Sequence, residues 1–133
     1  MTIKIEGPVP LLFLNKKNSN NRIYTQECVE KALKEIDGKE MIGVIGTPSD
    51  VPLQLSDAAF TTSEHFIQDE ILWAKNVKIL DTPRGLALLD MLSDGPDICI
   101  RPVGLGLIKD CKIEDYHIHG MSIIPKTPTH FND

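Results

Sequence analysis

The chain has 133 residues, a formal net charge of −5, 41% hydrophobic and 25% charged residues. Such a length and composition predict one soluble globular domain, assigned to residues 1–125 with a polar tail over 126–133. The acidic balance argues against duplex nucleic acid as a partner, because a duplex binder presents a basic face.

The N-terminal TIKIE alternates and predicts a short strand, and LLFL after Pro8 and Pro10 predicts a second. The prolines break the leading apolar run, which has no cleavage site. No stretch reaches the ~20 apolar residues of a membrane span, so no membrane partner and a cytoplasmic location are expected. KKNSNNR (16–22) reads as a mobile polar loop whose Lys16, Lys17 and Arg22 form a small basic cluster. Thr25 is placed to cap a helix over 26–36 with Val29, Leu33 and Ile36 on its buried face, ended by Asp37-Gly38.

MIGVI (41–45) predicts a strand and GTPSDVPLQ a loop. A hairpin is expected from Ser56 to Phe66, turning at Gln68-Asp69 into ILWAKNVKIL. On its second strand Ile71, Trp73, Val77 and Ile79 share one face and Trp73 belongs to the core. In DTPRGLALLDMLSDG, Thr82 caps a helix starting at Pro83, Leu86, Leu89 and Leu92 form its apolar face, and Gly95 stops it. ICIRPVGLGLI reads as strand, glycine bend, strand, and CKIEDYHIHGMSII as a last strand with Tyr116 off phase. The expected class is α+β: a mostly antiparallel, barrel-like sheet with two inserted helices.

Three separated cysteines, Cys28, Cys99 and Cys111, are an odd count that suggests buried reduced thiols rather than a disulfide framework. His117 and His119 lie at i, i+2, a spacing that could direct two ligands to one side of a strand, with Asp115 on the same face. No third ligand compels a metal site, and two partly exposed histidines on an edge strand are the ordinary reading. No metal and no cofactor is implied; GLG lacks the following helix and lysine of a phosphate loop.

Several blocks in order resemble the prohead (capsid-maturation) serine proteases of tailed phages, whose fold is shared with herpesvirus assemblin. NNRIYTQECVEKAL is similar to the family's N-R-x-Y-P segment and MIGVIGTP to its G-E-L-x-H-P block. ILWAKNVKILDTPRGLALLDML resembles its tryptophan-bearing strand and helix, IRPVGLG its (I/V)-S-x-R-G-x-G block, and HGMSIIPKTP its closing strand. The resemblance implies the fold but not the chemistry. The family histidine falls at Thr47, its glutamate at Val44, its nucleophilic serine at Arg101, its arginine at Val103, and the third catalytic position near Gly120. A threonine hydroxyl has no useful basicity at neutral pH and an arginine cannot attack a carbonyl.

The expectation is therefore a degenerate, non-catalytic relative acting in the host cytoplasm. In the first reading Arg101, with Thr47, binds a phosphorylated small molecule or nucleotide, such as a host-defence signal, at the former active site. Cys99, His117, His119, Lys16, Lys17 and Arg22 are the further ligand-binding candidates. In the second, the chain is an accessory to capsid or scaffold proteins, and Arg101 pairs internally with Asp57, Asp97 or Asp115. A homo-oligomer suits either. An active protease using Cys99 with His119 is the lesser alternative.

Overall fold

The computed structural model describes residues 3–5, 7–18, 20–46, 53–93 and 98–125. Thr47, Asp97, Gly95 and the proposed tail 126–133 lie outside them. Among the described residues seven strands and two α-helices follow in the order β1 (Ile3–Ile5), β2 (Val9–Phe13), α1 (Gln26–Glu35), β3 (Met41–Ile45), β4 (Phe60–Gln68), β5 (Ile71–Ile79), α2 (Pro83–Ser93), β6 (Ile98–Lys109), β7 (Lys112–Pro125). They form one sheet in the order β1-β5-β4-β3-β7-β6, with β2 also on β5. All pairings are antiparallel except β3 with β7. The sheet is a curled half-barrel, so the α+β class with two inserted helices holds.

The helices start where local chemistry requires. The Thr25 hydroxyl accepts from the Cys28 amide at 3.2 Å, and Gly38 at φ 75° ends the segment. Val29, Ala32 and Ile36 are buried and Leu33 partly so. The Thr82 hydroxyl accepts from the Gly85 amide at 3.0 Å and donates to the Ala58 carbonyl at 2.8 Å, fastening the start of α2 to the chain before β4. Leu89 and Leu92 pack against the core as expected, but Gly85 and Leu88 are the buried residues of this helix and Leu86 is 54% exposed. A Cβ on Gly85 would stand 1.8 Å from the Leu80 carbonyl oxygen, so the bare backbone of α2, and not Leu86, faces the sheet.

Three strand expectations are corrected. Leu55–Asp57 is a short 3-10 turn and β4 begins at Phe60, where the ring fills the space left by Gly43 on β3. Burying such a ring contributes about 1.5–3 kcal/mol. The β4–β5 turn lies at Asp69-Glu70, both left-handed at φ 54° and 59°, as a tight two-residue hairpin requires. Finally, β5 changes its buried face at Lys75: Leu72 and Ala74 are buried before it, Val77 and Ile79 after it. Opposite, Glu64 stands at φ 56° and pairs with Lys75 at 3.5 Å, so both strands are distorted at one level. Trp73 consequently leaves the core. It is half-buried, stacked on Phe66 at 6.5 Å between centroids, with its indole N–H donating to the Gln68 carbonyl at 3.1 Å.

The polar loop is a compact turn. Lys17 bridges Ile23, and the Asn18 side-chain oxygen accepts from the amides of Asn20 (2.9 Å) and Arg22 (3.0 Å). Ile23 in turn exchanges bonds with Cys111 and Ile113, tying this segment to the β6–β7 turn.

Candidate functional site

Arg101 lies inside β6, and the strand registers define what stands beside it. Arg101 is opposite Ser122 of β7, and Ser122 is opposite Val44 of β3. Alternation places these three on one face, because their neighbours Ile100, Ile123 and Met121 point into the core. Cys99 and Val103 share that face of β6. On β7 the same face carries Gly120, where a Cβ would meet Leu53 at 2.4 Å and the Ile42 carbonyl oxygen at 2.7 Å. The position the resemblance gives to a third catalytic group is thus filled by a leucine side chain resting on bare backbone.

The row Val44–Ser122–Arg101 is buried at Val44 and Ser122 and partly open at Arg101. Ser122 is 1% exposed, Val44 and Ile124 are buried, and Cys99 and Arg101 are half-buried. The Ser122 hydroxyl has no hydrogen-bond partner. A buried hydroxyl without a partner costs about 1–3 kcal/mol relative to a satisfied one. Ser122 escapes a reading of the sequence because its signal is one serine inside HGMSII. That both its neighbours are strands follows only from the parallel β3–β7 pairing, a long-range feature.

GLG has a structural cause independent of any ligand. Gly104 and Gly106 seat the Tyr116 ring: a Cβ on Gly104 would lie 2.7 Å from that ring and 2.4 Å from the His117 carbonyl oxygen, and one on Gly106 2.9 Å from Ile113. The expected bend appears as two register shifts in an unbroken strand, at Val103/Gly104 and Leu105/Leu107. Tyr116 is off phase, as its spacing suggests, because Asp115 before it is left-handed at φ 49°. It packs edge-on against Tyr24 at 5.2 Å. Burial pushes its phenol far up, so it stays protonated.

The remaining candidates are dispersed. β7 is an interior strand between β3 and β6, not an edge. His117 Nδ1 contacts both Glu35 carboxylate oxygens of α1, at 2.9 and 3.1 Å. His119 falls in the bulge between the Gly104–Ile118 and Val103–Gly120 pairs, which breaks the i, i+2 alternation. Among the described residues no three His, Cys, Asp or Glu side chains gather as a metal set. Cys99 is opposite Ile124, five positions from His119, roughly 16 Å along the strand. The register therefore separates the nucleophile and base of the atypical protease. Lys16, Lys17 and Arg22 are exposed near the Lys112 end of β7, ten positions from Ser122 and roughly 30 Å from Arg101. Of the carboxylates named for Arg101, Asp57 is exposed in the 3-10 turn and Asp115 lies seven positions from Ser122, while Asp97 is outside the described residues. Thr47 is likewise outside them. Gly46 before it is described, and its amide donates to the Ile123 carbonyl at 2.9 Å.

A second polar pair lies under the end of α1. The buried Thr62 hydroxyl meets His65 Nε2 at 2.8 Å, beside a groove of about 580 Å³ lined by Leu33–Glu40 residues and Ser63–His65. Burial lowers the His65 pKa, so the ring is held neutral. A second groove, of about 600 Å³, runs between α1 and the first half of β7 and contains Cys28, whose thiol burial pushes upward.

No family model matches the sequence, and no curated protein matches it. Among solved structures, that of the bacteriophage T4 capsid assembly protease, gp21, is similar, with a TM-score of 0.80 and 17% identity over 94% of this chain and 81% of that one. The chain therefore has a prohead-protease-like fold.

Proposed function

We propose that this chain is a non-catalytic phage protein that binds a phosphorylated small molecule or nucleotide at the Val44–Ser122–Arg101 row. The observation that carries this reading is the buried Ser122 hydroxyl without a partner, on the residue that pairs with Arg101 in the sheet ladder. A guanidinium fork offers paired donors to phosphate oxygens, and a hydroxyl beside it supplies one more. The replacements at the resemblance's catalytic positions favour binding over turnover, since Arg101 cannot act as nucleophile nor Thr47 as base. Residues 1–125 are taken as one domain, working in the host cytoplasm; no helix in the described residues is long and apolar enough to cross a membrane.

Thermal melting against inorganic phosphate, mononucleotides and cyclic dinucleotides tests this reading. A ligand that binds only the folded chain at a hundred times its Kd adds about 2.7 kcal/mol. The expected result is a raised Tm with at least one phosphate compound, lost in Arg101→Ala. No shift with any of them, or a shift that survives Arg101→Ala, removes the site.

A second reading has its own support. The fold likeness is to a protein that works in capsid assembly, so this chain is also read as an accessory to capsid or scaffold proteins. Co-purification with those proteins from infected cells is its test, and an isolated chain would count against it.

A further inference from the structure

We infer that two turns, one closed by Asn18 and Asn21 and the other at Asp110–Cys111, form a cationic tip that lies on an anionic lipid surface. Ile23 pairs parallel with Lys112, and each leads away from its own turn, so both turns point the same way. The Ile23 amide donates to the Cys111 carbonyl at 2.7 Å and the Ile113 amide to the Ile23 carbonyl at 3.0 Å. Asn21 Nδ2 donates to Cys111 Sγ at 3.4 Å, so the turns are held side by side. Residues directly opposite in a ladder share a face. Lys17, Ile23, Lys112 and Lys109 are opposite one another in turn, so three lysines stand in one row across roughly 15 Å. Lys16 and Arg22 are exposed beside it. The segments 15–23 and 109–112 hold five of the chain's 14 cations and one of its 19 carboxylates, in a protein of net charge −5. Among the described residues none of these five makes an ion pair, whereas Lys31, Lys75 and Lys78 each do.

The row continues into aliphatic surface. Leu105 and Leu107, 56% and 63% exposed, alternate with Lys109 along β6 and share its face. Ammonium groups beside projecting aliphatic groups fit a bilayer, whose phosphates meet the cations while its acyl boundary takes the leucines. Four of the five cations are lysines, which act as point charges on a diffuse anionic surface and need no bidentate register. Two other polyanions fit less well. A single nucleic-acid strand stacks on aromatic platforms, and at this end Tyr24 is half-buried and Tyr116 buried. An acidic peptide needs a concave seat, and the groove alongside is lined by Glu27, Glu35, Glu114 and Asp115, which repel it. Three carboxylates border the tip: Asp110 in its turn, Glu114 opposite Leu107, and Glu70, whose backbone carbonyl accepts from the Leu14 amide. The five cations outnumber them. A contact of this kind lies on the membrane and needs no spanning helix.

Flotation of the full chain with vesicles tests this contact, using phosphatidylcholine alone and phosphatidylcholine with about 30% phosphatidylglycerol. The expected result is binding to the anionic vesicles at about 0.1 M salt, little to the neutral ones, and release at about 0.5 M salt as screening shortens the reach of the charges. Lys17→Gln, Lys109→Gln and Lys112→Gln should each weaken binding about fivefold, and Glu114→Gln should strengthen it by about the same factor. Leu107→Ser keeps the charge and should weaken binding at least about threefold, a loss that purely electrostatic attraction would not show. Circular dichroism checks that each variant is folded. A chain that stays off anionic vesicles at the lower salt overturns the proposal. So does equal binding to neutral vesicles, or indifference to the three lysine changes. Tighter binding to a single-stranded oligothymidine or to polyglutamate, at the same concentration of negative charge, would overturn it in favour of a nucleic-acid or acidic-protein partner.

Discussion

Thr62 and Ser122 are the two buried polar residues among those described, and they are treated oppositely. The Thr62 hydroxyl lies 2.8 Å from His65 Nε2, with the imidazole itself drawn inward from the β4 distortion at Glu64. The Ser122 hydroxyl has no partner, although a half-buried arginine stands across the ladder from it. One hydroxyl is satisfied within the fold, and the other is not. A closed polar pair adds stability and asks for nothing further. An open one costs stability and is retained most readily where something else completes it.

The largest expected effect is on the closed side. Thr62→Val keeps the shape of the side chain and removes the hydroxyl, which leaves His65 Nε2 facing an apolar group. Urea unfolding should show a loss of about 1–3 kcal/mol, the cost of a half of a buried hydrogen bond left unmade. A loss under about 0.5 kcal/mol would mean that water replaces the hydroxyl, and the contrast with Ser122 would fail.

A smaller effect comes from acid. The His65 pKa in the folded chain is lowered by burial from its ordinary 6.5. Between the folded value and 6.5 the unfolded chain holds a proton that the folded chain does not, so stability rises with pH there. The contribution is full above 6.5 and is lost as pH falls through the folded value. Lys34, Asp37, Lys39, Glu40 and Glu64 line the same groove. Unfolding midpoints should therefore fall between pH 7.5 and pH 5, and His65→Gln should flatten that part of the curve. An unchanged slope in the variant would assign the acid sensitivity elsewhere.

These contrasts bear on how much the chain discloses unaided. Thr25, Thr82, Pro83 and Gly38 act within one helical turn, so both helices and their starts are legible. Facing is less so. The seating of α2 depends on Gly85 meeting the Leu80 carbonyl, and the displacement of Trp73 depends on a strand distortion opposite Glu64. Neither is local. At the candidate site Arg101 stands out because a charge interrupts an apolar strand. The histidines stand out by type alone, and the register then disperses them. Ser122 is silent until three strands are laid side by side.

The smallest predicted change is therefore the most informative. Ser122→Ala removes a hydroxyl that makes no hydrogen bond, so it relieves a desolvated oxygen and opens only a small gap. Stability should stay the same or rise, by up to about 1 kcal/mol, where Thr62→Val falls. Affinity for the phosphate compound should drop by about 1 kcal/mol, since one neutral hydrogen bond is lost. The two readouts move in opposite directions only if the hydroxyl belongs to a ligand. A loss of stability in Ser122→Ala would show that the fold already uses it, and the asymmetry between the two buried hydroxyls would vanish.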